Sequence, residues 1–251
     1  MKRKGLMLLI LLGAMFTSCN LQENTTSYYT LTTRSFNIGY CGIKSISAQF
    51  LDSLDAILMC RTIDGNKLYY FNSEDASLNA MYDSLCTKYV DTSYNKTRTY
   101  NYDELSPVFM AEEFSKINVT SKSNYDDSHP ANSDMGDIVT VNTCSEYPFI
   151  SSNYTKTHDW SDIDGDDIWG RWYSSTILID KYQSPVLELI NNIGEHDLAI
   201  IGGKVYYGSN MPFCILHFIS KPTSSKNQSF EIKFVTDSGE EYSCSANCTF
   251  E

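Results

Sequence analysis

The chain has 251 residues, 42% of them hydrophobic, with 18 tyrosines and 12 phenylalanines. That is enough apolar material for one sizeable core or two small ones and too much for a disordered tail. Nineteen Lys and Arg stand against 31 Asp and Glu, a formal charge of −12. Nucleic-acid binding needs a basic footprint to neutralise phosphates, and neither the balance nor any local cluster supplies one.

Lys2, Arg3 and Lys4 precede an apolar run from Leu6 to Phe16, after which Thr17 and Ser18 lead into Cys19. The run is too short to cross a bilayer and reads as a secretory signal. It also resembles the bacterial lipoprotein signal. Cys19 matches the cysteine that becomes the lipid-bearing first residue and Ser18 the small residue before it, whereas Phe16 stands where leucine is more usual. The resemblance implies removal of residues 1–18, acylation of Cys19 and a short tether over 19–27. The plain alternative is cleavage near Ser18 without lipid. Asn20 does not resemble the aspartate that retains such proteins in the inner membrane, so the implied place is the bacterial cell envelope, on the outer membrane, facing the periplasm or the cell surface. Cleavage removes three positive charges and no negative ones, so membrane partnership falls to the acyl chains alone.

Residues 28–251 read as a single β-rich domain. The stretch 28–41, rich in Tyr, Thr and Phe, predicts one or two strands. Residues 56–63 and 68–71, separated by Asp64, Gly65 and Asn66, predict a hairpin turning on Asp-Gly. Leu78, Met81, Tyr82, Leu85 and Tyr89 recur at helical spacing and predict a helix over 73–90. Ser106 and Pro107 are placed to start a second short helix through Val108, Phe109 and Ala111 to Phe114, with a strand as the competing assignment. Ile117, Val119 and Ser121 alternate with polar neighbours and predict a strand, followed by a long polar loop over 122–136 and a short strand over 138–141.

The last forty residues carry the clearest pattern. Residues 213–219 are apolar at nearly every position, as in a strand buried on both faces. Phe230, Ile232 and Phe234 alternate with Glu231 and Lys233. Beyond the turn at Ser238 and Gly239, Tyr242, Cys244, Ala246, Cys248 and Phe250 share one face. Three sequential strands imply an antiparallel sheet needing a second layer. The fold expected is an immunoglobulin-like or Greek-key β-sandwich with one or two added helices. Together with residues 2–20, the run 212–250 is similar to β-rich lipoproteins of the Bacteroides type, a resemblance that brings no catalytic residue with it.

Between these elements lies an acidic aromatic stretch. Asp162, Asp164, Asp166 and Asp167 surround Gly165, and alternating carboxylates on a short loop can converge on a hard cation. Asp167 stands where an EF-hand requires glycine and Tyr173 where it requires a bidentate glutamate. Calcium at Asp162, Asp164 and Asp166 therefore competes with a plain solvent-facing acidic turn. Trp160, Trp169, Trp172 and Tyr173 flank the same loop. Rings there can stack on sugar faces or anchor a protein contact, or fill the core.

Catalytic signals are sparse. His129, His158, His196 and His217 form no metal-binding pair, and no nucleophile elbow occurs. His129 and His158 lie in polar loops, and His217 lies in an apolar strand. Cys144 beside the His158 loop is the least implausible nucleophile, its alternatives being a disulfide or a buried thiol. Beyond Cys19, seven cysteines remain, an odd set for which the compartment permits disulfides without requiring them. Cys244 and Cys248 cannot bridge within one strand, where four rises set them about 13 Å apart. The function expected is an envelope lipoprotein binding a carbohydrate or protein. A calcium-stabilised structural protein and a hydrolase with an unrecognised site are the alternatives.

Overall fold

A strand turns successive side chains to opposite faces, and that period governs most of the computed structural model, which describes residues 28–101, 108–162, 180–203 and 211–251. In chain order its elements are β1 (Tyr28–Thr33), β2 (Gly39–Leu51), β3 (Ala56–Tyr70), α1 (Ala76–Lys88), β4 (Lys96–Asn101), β5 (Phe109–Met110), β6 (Phe114–Ser121), β7 (Val139–Ser145), α2 (Tyr147–Ser151), β8 (Ser184–Leu189), β9 (Met211–Phe218), β10 (Asn227–Thr236) and β11 (Glu241–Thr249). The fold is mainly β with two short helices and a curled mixed sheet. That sheet has the order β5-β2-β3-β9-β7-β8, mixed because β5 runs parallel to β2. A three-stranded antiparallel sheet has the order β11-β10-β6, and β1 pairs with β4.

The alternation in β10 and β11 builds the main core. Phe230, Ile232 and Phe234 are fully buried, joined by Tyr242, Ala246, Cys248 and Phe250. They meet Ile57, Met59, Phe213, Leu216 and Phe218 of the mixed sheet in one cluster. Ring contacts tie the two sheets together, Phe213 to Phe234 at 5.3 Å and Phe218 to Phe230 at 4.8 Å between centroids. On the outward face Glu231 pairs with Lys122, and Lys233 pairs with Glu241 at 2.9 Å.

β9 is buried on both faces as expected, but it is not the partner of β10. It lies inside the mixed sheet between β3 and β7, so the three terminal strands are divided between two sheets. Its apolar character fits this central place: Phe213, Cys214 and Leu216 face the main core, while Ile215 packs with Leu58, Cys60 and Cys144 in a smaller cluster against which Trp160 rests.

Two local expectations are corrected. The Asp-Gly pair makes no hairpin, because β3 runs through it and keeps β2 as its partner, from Leu51 opposite Ala56 to Gly39 opposite Tyr70. Four residues, 64–67, bulge out where β2 supplies one. Gly65 does not take the positive φ that a tight reversal needs. The real reversal is the turn Asp52–Asp55. The second helix through Phe114 is also absent. Val108, Phe109 and Met110 are consecutive and all buried, which suits a short interior strand better than a one-sided helix.

The helix expected over 73–90 is α1. Asp75 caps it, its carboxylate accepting from Ser77 N at 2.8 Å and Leu78 N at 3.3 Å. The buried stripe is Tyr82, Leu85, Cys86 and Tyr89, while Met81 faces solvent. These rings join Phe36, Tyr40, Phe149 and Tyr154 in a second, aromatic core.

Candidate functional site

The segment 196–203 has four residues in the left-handed region: His196 at φ 66°, Ile200 at 50°, Gly202 at 79° and Gly203 at 65°. For β-branched Ile200 this conformation is costly, on the order of 1–3 kcal/mol. Gly202 is required twice over, since a Cβ there would lie 2.4 Å from Arg61 Nη1 and 2.8 Å from Phe213 Cα.

The surroundings fix this strained segment. Ser145 Oγ donates to Ala199 O at 2.6 Å, and Gly202 N donates to Cys144 O at 3.0 Å. Arg61, 1% exposed in the middle of β3, donates to the carbonyls of Ile201 and Gly202 at 3.3 Å and of Gly203 at 3.5 Å. Burial pulls the guanidinium pKa below its ordinary value, so backbone dipoles and the ring of Phe213 at 5.8 Å bear its charge.

The segment presents His196 to an open cleft of about 450 Å3 between α2, the start of β8 and the 195–197 turn. His196 Nδ1 lies 2.6 Å from Oε1 of Glu113, whose side chain is 10% exposed, while the imidazole is 41% exposed. Lys88 Nζ stands 3.7 Å from Glu113 and 2.8 Å from Asp237. The imidazole lies 4.7 Å from the ring of Tyr147. Burial, then the Glu113 and Glu195 carboxylates, raise the Tyr147 pKa, so its phenol keeps its proton. Pro148, Pro185 and Val186 add apolar floor, with Ser151, Ser184, Lys156 and Asp197 at the rim.

Of the residues expected to bind, Trp160 is half-buried, its indole N–H donating to Asp180 O at 2.9 Å and its ring 4.6 Å from that of His158. Asp162 ends a short 3-10 helix. Asp164, Asp166, Trp169, Trp172, Tyr173 and Cys19 lie outside the described residues. Among the described residues no three metal-ligating side chains gather.

The Cys144–His158 pairing is not formed. Cys144 is fully buried, its thiol 3.8 Å from Gln183 Oε1, and burial raises its pKa far above the thiolate range. The seven described cysteines are all free thiols. Cys244 and Cys248 share β11 as the strand argument requires. His217 sits half-buried in β9, where burial lowers its pKa.

His129 is not free either. It is 7% exposed, with Nδ1 2.8 Å from Asp126 and Nε2 3.0 Å from Asp137. Two carboxylate acceptors require both ring nitrogens to carry hydrogen, which makes the ring an imidazolium. Burial alone would lower its pKa, and the two aspartates outweigh that and raise it. The Asp126 pKa is lowered: burial opposes the shift, but bonds from His129 and Ser128 prevail. The His129 contribution is therefore full below about pH 6.5 and fades as pH rises through the elevated folded value. The Asp126 contribution is full above about pH 4 and fades on acidification. His129→Asn is expected to cost about 1–2 kcal/mol at pH 5 and measurably less at pH 8, read from urea midpoints at the two pH values.

Sequence reasoning noted His196 only as one histidine among four, and its link to Glu113 spans 83 positions. The adjacent glycines Gly202 and Gly203 are the sequence signal of a turn at this place. The arginine closing the apolar run of β3 was the available signal for a buried charge. No family model matches the chain, and searches of curated proteins and of solved structures found none similar to it.

Proposed function

We propose that the chain is an envelope lipoprotein, anchored through Cys19, whose β-rich domain binds a carbohydrate or envelope protein in the cleft beside His196. The observation that carries this reading is the strained 196–203 segment. Left-handed backbone in non-glycine residues persists only where the surroundings over-determine it, and such residues cluster at binding and active sites. Here a buried arginine and the end of β7 hold that backbone so that one imidazole meets an open cleft. The immunoglobulin-like or Greek-key description belongs to the same proposal, supported by two sheets sharing one core. Two measurements test it. Mass spectrometry of the mature amino terminus should find acylated Cys19, and an unmodified terminus elsewhere would refute the anchor. Hydrogen exchange on the membrane-bound protein should slow at 147–152, 184–186 and 194–197 when envelope carbohydrate or protein is added. Unchanged exchange there would refute the cleft.

A hydrolytic reading has one observation in its favour. Glu113 orients His196 as a carboxylate orients a general base. Among the described residues, however, no hydroxyl or thiol lies within hydrogen-bond distance of Nε2, whose nearest recorded partner is Glu195 at 3.7 Å. Binding is the better supported reading. Turnover of 4-nitrophenyl acetate that disappears in Glu113→Gln would reverse that order.

A further inference from the structure

We infer that the ligand of the His196 cleft is a neutral saccharide, one of whose hydroxyls donates a hydrogen bond to His196 Nε2. This rests on the binding reading above and names its ligand class. Glu113 is the starting point. An ionised carboxylate only accepts hydrogen bonds, and Oε1 lies 2.6 Å from Nδ1, so Nδ1 carries the hydrogen. In the neutral ring Nε2 is then left with its lone pair, on an imidazole that is 41% exposed.

The rest of the cleft has the same polarity. Glu195 and Asp197 are acceptors, and among the described lining residues Lys156 is the one full positive charge. Two carboxylates beside the ring disfavour an anionic ligand. A simple cation would satisfy them but would make no use of Tyr147, Pro148, Pro185 and Val186. A sugar ring uses both kinds of surface, since its C–H face packs on apolar and aromatic groups while its hydroxyls donate to Nε2, Glu195 and Asp197 and accept from the Tyr147 phenol, Ser151 and Ser184.

The charged groups facing His196 are Glu113 with Lys88 behind it, Glu195, Asp197 and Lys156, with the Tyr147 ring tilted against the imidazole.

Saturation-transfer NMR on the full mature chain in lipid nanodiscs is the test, with methyl glycosides of glucose, galactose, mannose and N-acetylglucosamine as probes. Nα-acetyl-lysine methylamide and methyl glucuronide serve as the cationic and anionic comparisons. At least one neutral glycoside should be saturated on one ring face. His196→Ala and Tyr147→Ala should each weaken it at least about fivefold with an unchanged near-UV circular dichroism spectrum. His196→Gln, which restores a side-chain acceptor, should recover part of the loss. Preference for the lysine or glucuronide probe with the same variant sensitivity would overturn the saccharide assignment and leave the cleft reading intact. Glycoside binding indifferent to both variants would overturn the site. No probe responding to the variants, together with unchanged exchange at the cleft, would overturn both.

Discussion

Replacing Phe234 by alanine should lower the unfolding free energy by about 3–5 kcal/mol, the range for deleting a large core side chain that leaves its cavity behind. Phe234 is fully buried. Its ring meets Phe114 edge-on at 4.9 Å within its own sheet and Phe213 at 5.3 Å in the facing one. Collapse cannot refill the space, because both neighbours sit on strands fixed by their ladders, β6 against β10 and β9 between β3 and β7. Phe234→Leu should recover more than half of the loss, since most of the volume returns. Urea unfolding followed by near-UV circular dichroism reads both. A cost of Phe234→Ala below about 1 kcal/mol would mean that the two sheets do not share this core.

The second large effect is at Arg61. Arg61→Ala removes the donors to three carbonyls of residues 201–203 and opens a void against Phe213, and is expected to cost about 3–5 kcal/mol. Arg61→Met separates the two causes, because it keeps the stem and removes the charge. Burying a charge is itself costly even with carbonyl partners, so methionine should lose only about 1–3 kcal/mol. In both variants the Gly202 amide, which donates to Cys144 O, should exchange faster by a larger factor than amides in β10, which report only the global loss. Equal protection at Gly202 in wild type and Arg61→Met would show that the guanidinium does not hold the segment.

The terminal strands were readable because their two faces differ: Phe230, Ile232 and Phe234 against Glu231 and Lys233 fix both element and orientation. The sheet to which β9 belongs was not readable. A strand buried on both faces carries no mark of which neighbours bury it, and chain proximity pointed to β10 when the partners were β3 and β7. The Asp-Gly signal misled because turn chemistry permits a reversal without enforcing it. Here the apolar residues on either side, Ile63 and Leu68, both stay on β2. The cleft was the least legible part. Glu113 and His196 are brought together where Phe114 N donates to Leu198 O at 3.4 Å, a contact between distant segments, and Arg61 acts through backbone atoms that carry no sequence signature.

The seven thiols carry a consequence for biogenesis. They are unpaired, six of them are buried, and burial raises the pKa of Cys41 and Cys248 to about 12 and of Cys86 to about 11, so the native molecule offers oxidants almost nothing. A chain emerging unfolded into an oxidising space offers them everything, and any disulfide formed at that stage would have to be undone before Cys41, Cys60, Cys144 and Cys214 could take their places around Arg61. If the chain is exported as proposed above, closure of the two sheets runs in competition with thiol oxidation, and the yield would be set by that race, with reductants or a disulfide isomerase raising it.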